Sequence, residues 1–331
     1  MKTEFGPLQE LYDNKAVMEI IVDAHDDVYW EEKGKMHEAN NLFKNEQEII
    51  EVMKLLLKSV NRSFESIVDG FADLRLSDGT RVAMALPPIS INGPTLVIRK
   101  IFSTDIGRDD LLNWGVITQE GIDICQALIS KNKSLILAGN ASSGKTTHLN
   151  LLIDGMDKSK RVVTVEKVAT MDTYKRKRTL RLETPTCKQS EMIDLIQKAS
   201  MLRADTVVVN ELMGAEAFET VKLMREGYHV MATLTAEGVS DALKKCELLC
   251  LMGQYGIGVD EIKYHVASGV DAVIFQERLE NGKRVVSNIS LVEGLDENGR
   301  FIIKPLFVYD EVSAKFITTP EGKKLLATGL K

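Results

Sequence analysis

A chain of 331 residues, 44% hydrophobic and 27% charged, has the composition of an ordinary soluble globular protein and the length for two domains. A formal net charge of −6 leaves no global basic footprint, so nucleic acid is not the expected partner. With no apolar run near the roughly 18 residues of a membrane span and no signal-peptide pattern after Met1, a cytoplasmic chain is expected, with Cys125, Cys187, Cys246 and Cys250 as thiols.

In chain order, residues 17–22 and 28–32 read as short strands, with turns at 24–27 and 33–35. From about Asn45, Ile49, Met53, Leu56, Leu57 and Val60 recur at helical spacing and define one buried face. Residues 71–76 and 81–86 form a hairpin signal around Ser77, Asp78 and Gly79, broken by Pro87 and Pro88, and 95–98 is a further strand. These elements make a small α+β N-terminal domain, residues 1–101, followed by a linker at 102–110. Its edge carries Arg81, Arg99 and Lys100, which are either solvated surface cations or groups aimed at a phosphate site.

From residue 111 to the end, helices and strands alternate: helix 117–130, a strand and helix around residues 134–152, strand 162–165, helix 190–202 with Ser190 as N-cap, strand 206–209, helix 214–226, strand 230–234, and helices 239–252 and 259–268. Such alternation predicts a parallel sheet covered on both faces. Strands at 271–277, 284–291 and 301–308, with turns at 280–282 and 297–299, form a β-rich C-terminal tail. Cys246 and Cys250 share a helix face and read as core packing rather than a metal site. The basic run Lys175, Arg176, Lys177 and Arg178 reads as a solvated loop face, the alternative being a phosphate or acidic-lipid patch.

Residues 139–147 fit G-x-x-x-x-G-K-[ST], the phosphate loop, between an apolar strand and a helix start. Gly139 and Gly144 permit close backbone approach, so the N–H groups through Asn140, Ala141, Ser142 and Ser143 can turn inward as an anion nest. Lys145 can reach the β/γ-phosphates and the Thr146 hydroxyl can ligate Mg²⁺, while Thr147 and His148 cap or pack. A nucleotide hydrolase also needs a carboxylate at a strand end beside the loop. Glu211 and Glu166 each close an apolar run, at equivalent ends of strands expected to flank the phosphate-loop strand; capping a helix is the alternative role for either.

This order of features resembles the type II/type IV secretion-system ATPases, hexameric motors with a RecA-like P-loop NTPase domain, and within them the tight-adherence (Tad) pilus assembly branch. The resemblance covers about residues 17–310. It rests on SDGTRVAMALPPISINGPTLVIRK (77–100), GNASSGKTT as Walker A, TVEK (164–167) as the Asp box, LRLET (180–184), LRADTVVVNELMG (202–214) as the Walker B region, and ATLTAEGVSDAL (232–243) as the His box. It implies ATP and Mg²⁺ as ligands, Lys145 and Thr146 on phosphate and metal, Glu211 as the Walker B glutamate and Glu166 as the Asp-box acid. Arg81 and Arg99 match arginines by which the N-terminal domain reaches the nucleotide, and Arg181 and Arg203 match arginines near the site.

Departures accompany the resemblance. Lys167 stands where the Asp box has a second acid, Asn210 and Met213 replace the Gly and Arg around the Walker B glutamate, and Thr235 replaces the histidine of the His box. The family implies a homohexamer at the inner face of the membrane, hydrolysing ATP to move a pilin-assembly or secretion platform protein. The departures imply slow turnover, or a hydrolysis-impaired regulatory subunit of such a system.

Overall fold

Two stretches of different periodicity make two units, residues 1–104 and 105–331, in the computed structural model of the protein. It describes residues 4–32, 35–39, 41–67, 69–100, 106–171, 173, 176–184 and 189–328.

The first unit contains α1 (Gln9–Asp13), β1 (Val17–Ala24), β2 (Asp27–Glu32), β3 (Lys35–Ala39), α2 (Glu46–Ser59), β4 (Phe71–Arg75), β5 (Arg81–Ala85) and β6 (Thr95–Arg99). Its sheet has the order β3-β2-β1-β6-β5-β4, every pair antiparallel. Alternation puts Leu74, Val82, Met84, Leu96 and Ile98 on one face, where they meet Ile49, Val52, Met53, Leu56 and Leu57 of α2. Each such side chain contributes about 1.5–3 kcal/mol on leaving water. The Asn45 side chain starts α2 by accepting from the Glu48 amide at 3.2 Å. β3 carries no apolar alternation and is an exposed edge, which is why its sequence gave no sign of it.

The second unit contains α3 (Arg108–Asn113), α4 (Gln119–Ser130), β7 (Leu135–Gly139), α5 (Lys145–Asp154), β8 (Val162–Glu166), β9 (Thr179–Glu183), α6 (Gln189–Met201), β10 (Thr206–Leu212), α7 (Glu216–Arg225), β11 (His229–Thr235), α8 (Val239–Leu251), α9 (Val259–Gly269), β12 (Ala272–Arg278), β13 (Arg284–Leu295), β14 (Phe301–Asp310), β15 (Lys315–Thr318) and α10 (Pro320–Ala327). The sheet order is β15-β14-β13-β12-β7-β11-β10-β8-β9. It is parallel from β12 to β9, and β13, β14 and β15 extend it as an antiparallel meander.

Every residue of β7 and β8 is buried, as strands covered on both faces require. Ile136 and Ala138 join a cluster with Ile196, Val221, Leu243 and Val266 of α6 to α9; Leu135 and Leu137 face Ile124, Leu128, Leu149 and Ile153 of α4 and α5. Cys246 and Cys250 lie buried in the first of these cores.

Local expectations change in three places. Within the segment read as a linker, 102–105 lie outside the described residues and 108–110 form the first turn of α3. α6 begins at Gln189, so Ser190 is inside its first turn and is not an N-cap. In the basic run, Lys175 lies outside the described residues, and Arg176 is not on a solvated face. Its side chain is buried and donates to the carbonyls of Met156 at 3.2 Å, Asp157 at 2.5 Å and Lys160 at 3.0 Å. The turn after α5 offers several carbonyls with no helical partner, and a forked guanidinium is the side chain that can satisfy three at once.

Candidate functional site

The run Leu135 to Ala138 drives β7 into the core, and the chain must then turn sharply at its carboxyl end. A Cβ on Gly139 would lie 1.8 Å from the Gln276 carbonyl oxygen, so no other residue fits there. Gly144 takes φ +96° immediately before α5, and no side chain caps that helix. The first-turn amides of α5 are therefore left to the hollow of the loop, with the positive end of the helix dipole behind them. The Ser143 hydroxyl is buried and has no partner among the described residues. Lys145 is half-buried and its Nζ donates to the Gly139 and Asn140 carbonyls at 3.1 and 2.8 Å. Burial pushes its ammonium pKa down, Glu211 pushes it back up, and Lys245 lowers it further.

The loop is gripped from the C-terminal strands, by residues that sequence reasoning missed. Gln276 is buried; its Nε2 donates to the Ser143 carbonyl at 2.7 Å and its Oε1 lies 2.7 Å from His148 Nδ1, on α5. Arg284 Nε donates to the Ser142 carbonyl at 2.9 Å, and the Asn140 side chain exchanges bonds with the Arg278 backbone at 3.0 and 3.3 Å. Gln276 ends the apolar run of β12 as Glu211 and Glu166 end theirs, and that shared pattern was the available signal. His148 packs, as expected, and burial holds its pKa below the ordinary imidazole value.

Strand order corrects the expected arrangement of the carboxylates. The neighbours of β7 are β11 and β12; β11 lies between β7 and β10, and both β11 and β10 lie between β7 and β8. Thr235, at the His-box position, is in register with Gly139, and the Ala236 amide donates to the Gly139 carbonyl at 3.1 Å. Glu211 is exposed, has φ +68°, and sits in a lapse of the β10–β11 register. Its charge is felt by Lys145, which puts it on the loop's side of the edge.

Glu166 is buried, and its Oε1 accepts from the amides of Thr170 and Met171 at 2.8 and 3.0 Å, from the Thr170 hydroxyl at 3.2 Å and from Asn210 Nδ2 at 3.2 Å. Its Oε2 has no hydrogen-bond partner among the described residues and lies 3.7 Å from Arg181 Nη2, which donates to the Met171 carbonyl at 2.9 Å. Glu166 thus organises the turn after β8; no helix begins there among the described residues, so the helix-capping alternative does not describe it.

Arg203 precedes the amino end of β10, whereas the phosphate loop follows the carboxyl end of parallel β7, so the fold separates these two across the sheet. In the first unit, Arg81 and Arg99 are cross-strand partners, and each meets an acid: Arg81 with Asp73 at 2.6 Å, Arg99 with Glu19 at 2.7 Å. Lys100 donates to the Leu11 and Asn14 carbonyls at 3.1 and 2.8 Å. Beside Gly144 and Thr147, a cavity of about 450 Å³ is walled by Ile106, Leu111, Trp114 and Val116 and edged by Arg284.

A glycine loop between a buried strand and a helix, on a parallel sheet completed by an antiparallel meander, defines a P-loop protein. The chain belongs to the type II/IV secretion system protein family, whose model matches residues 1–322. Among known proteins it is similar to the uncharacterized protein MJ0781 of Methanocaldococcus jannaschii, 28% identical over 207 residues that make up 59% of this chain and 28% of that protein. It is also similar to the probable conjugal transfer protein TrbB of Sinorhizobium fredii, 28% identical over 232 residues, 68% of each chain. The chain spans well under half the length of the two M. jannaschii relatives it matches, 28% and 38%. Among solved structures, the Legionella pneumophila ATPase DotB is 16% identical with a TM-score of 0.64, over 90% of this chain and 83% of that one. The pilus retraction motor PilT with bound ADP is 15% identical with a TM-score of 0.62, over 100% and 88%. The fold is thus an N-terminal domain and a RecA-like domain. Among the described residues, no helix is long and apolar enough to cross a membrane.

Proposed function

We propose that the chain is an ATP-hydrolysing motor subunit of a type II/IV secretion or Tad-like pilus assembly system. The single observation that carries this reading is the phosphate loop itself, glycine-walled at Gly139, uncapped at α5 and holding Lys145 at its mouth. A polyphosphate fits that hollow by its chemistry: oriented amides, a Ser143 hydroxyl with no partner among the described residues, and one ammonium. The adjoining apolar cavity at Trp114 is of a size and lining for a nucleobase and ribose.

On this reading the backbone from Gly139 to Thr147 orients the phosphate chain, and Lys145 exchanges its loop carbonyls for β/γ-phosphate oxygens. Thr146 and Glu211 supply hard oxygen donors for Mg²⁺. An Mg²⁺ ion of this kind would be held by one or two protein oxygens together with the phosphates. When bound, the ion supplies Lewis-acid stabilisation of the transferring phosphoryl group. Glu211 orients the attacking water and accepts its proton, with Glu166 acting beside it through Oε2. Arg81 and Arg99 of the first domain reach the nucleotide when that domain closes over it, and Arg181 adds its charge beside Glu166, whereas Arg203, at the far end of the sheet, takes no part in the site of its own subunit. A homohexamer, peripheral at the cytoplasmic face of the membrane, transmits that closure to a platform protein.

The test is steady-state phosphate release by the oligomer, sized by light scattering, with Mg-ATP. Lys145→Ala should abolish turnover and nucleotide binding, and Glu211→Gln should abolish turnover while nucleotide still binds. Wild-type turnover no faster than Lys145→Ala would refute the motor.

A second reading, a nucleotide-binding but hydrolysis-impaired partner subunit, is favoured by the engagement of Glu166 Oε1 in the 170–171 turn and by Thr235 beside the loop. Nucleotide binding lost in Lys145→Ala, with no wild-type turnover at all, is its signature.

A further inference from the structure

The ladder between β10 and β11 lapses after Val209 and resumes at Leu212, and in that gap Glu211 adopts φ +68°. A left-handed conformation costs a residue with a Cβ about 1–2 kcal/mol, so something around it must hold it there. What surrounds it is a continuous chain of hydrogen bonds. The Glu211 amide donates to Thr233 Oγ1 at 2.6 Å, and the Thr233 hydroxyl donates to Asn210 Oδ1 at 2.8 Å. Asn210 Nδ2 in turn donates to Thr170 Oγ1 at 2.9 Å and to Glu166 Oε1 at 3.2 Å. Thr233, Asn210 and Glu166 are all buried.

We propose that Asn210 is a positioning residue: its amide, spanning from β11 to β8, fixes the Thr233 hydroxyl as acceptor for the Glu211 peptide and so holds Glu211 in its left-handed turn. The part of this that concerns turnover rests on the hydrolytic reading above.

Three features make Asn210 the hub. It stands in register with Glu166, so its side chain reaches that carboxylate across one strand spacing. Only a group with both an acceptor and two donors can take the Thr233 proton and also supply Thr170 and Glu166; a carboxylate or an apolar residue breaks the chain at one end. The Thr233 hydroxyl, having given its proton to Asn210, presents a lone pair to the Glu211 amide, so the two bonds are polarised in one direction. The same amide thereby joins the Walker B glutamate to the Asp-box acid.

The experiment measures two quantities on the oligomer: amide hydrogen exchange at Glu211, and kcat, KM and Mg-ATP affinity. Asn210→Ala and Thr233→Val should each speed Glu211 exchange at least tenfold and lower kcat by roughly 10- to 100-fold, with affinity within about twofold of wild type. Thr233→Ser keeps the hydroxyl and should restore both. Asn210→Asp keeps the shape but removes both donors, so it guards against a loss caused only by a cavity; it should still lower kcat. Glu211 exchange unchanged in Asn210→Ala, or an effect confined to KM, overturns the proposal. If Glu211 exchange responds as expected but wild-type turnover equals that of Lys145→Ala, the positioning stands and the hydrolytic reading falls.

Discussion

Thr235 stands in parallel register with Gly139, so the last residue of β11 and the first glycine of the phosphate loop are side by side at the carboxyl edge of the sheet. A threonine there has neither the reach nor the charge of a histidine. One well-placed donor is worth on the order of 10²–10³ in rate where charge develops. Thr235→His should therefore raise kcat for Mg-ATP by about tenfold or more with little change in KM, measured by coupled phosphate release. An unchanged kcat would mean that the position contributes nothing to the transition state.

Gln276 holds both the Ser143 carbonyl and His148 Nδ1 in a buried setting. Gln276→Ala leaves two buried polar groups without partners, so a loss of about 2–4 kcal/mol in urea unfolding is expected. The loop also loses its wall on that side, so Mg-ATP affinity should fall about tenfold by titration calorimetry.

Arg176 and Lys177 are neighbours in one basic run with opposite expected fates. Arg176→Met removes three bonds to the carbonyls of Met156, Asp157 and Lys160 and should cost about 2–4 kcal/mol. Lys177→Ala, at an exposed side chain, should stay within about 0.5 kcal/mol of wild type. Parallel urea melts decide it.

His229 begins β11 in register with Thr206, with Nδ1 2.9 Å from the Thr206 hydroxyl. Burial pushes its pKa from 6.5 down to about 4. Below pH 6.5 the unfolded chain binds a proton there that the folded chain does not, so this residue lowers stability as pH falls. The loss is complete near pH 4, where the folded imidazole titrates too, and amounts to about 3 kcal/mol at most. His229→Asn should flatten the stability curve between those pH values relative to wild type.

Much of the RecA-like unit was legible because buried parallel strands print as unbroken apolar runs. Residues 162–166 and 206–209 announce themselves, and so do the carboxylates that close them. Their order across the sheet was not legible: adjacency of β7 to β11 and β12 is a long-range pairing with no local signature, so Glu211 and Glu166 were expected too close to the loop strand. The phosphate loop was readable because its glycines and lysine are local requirements. Gln276 and Arg284 were not, because their partners Ser143 and Ser142 are far upstream. Arg176 looked like surface because composition shows charge and not the cluster of carbonyls that claims it. Asn210 stood out only as a departure from the family, and its use became apparent once Thr233, Glu211 and Glu166 were placed around it.

The grip of β12 and β13 on the phosphate loop also sets an order of events during synthesis. A nascent chain that has emerged as far as α9 contains every residue from Gly139 to Thr147, yet β7 then has an unpaired edge and Gly139 lacks the Gln276 carbonyl against which it packs. The loop reaches its final shape only after the C-terminal strands arrive, a late and non-local closure. The shape of the loop is thus a property of the finished sheet and not of residues 139–147 alone.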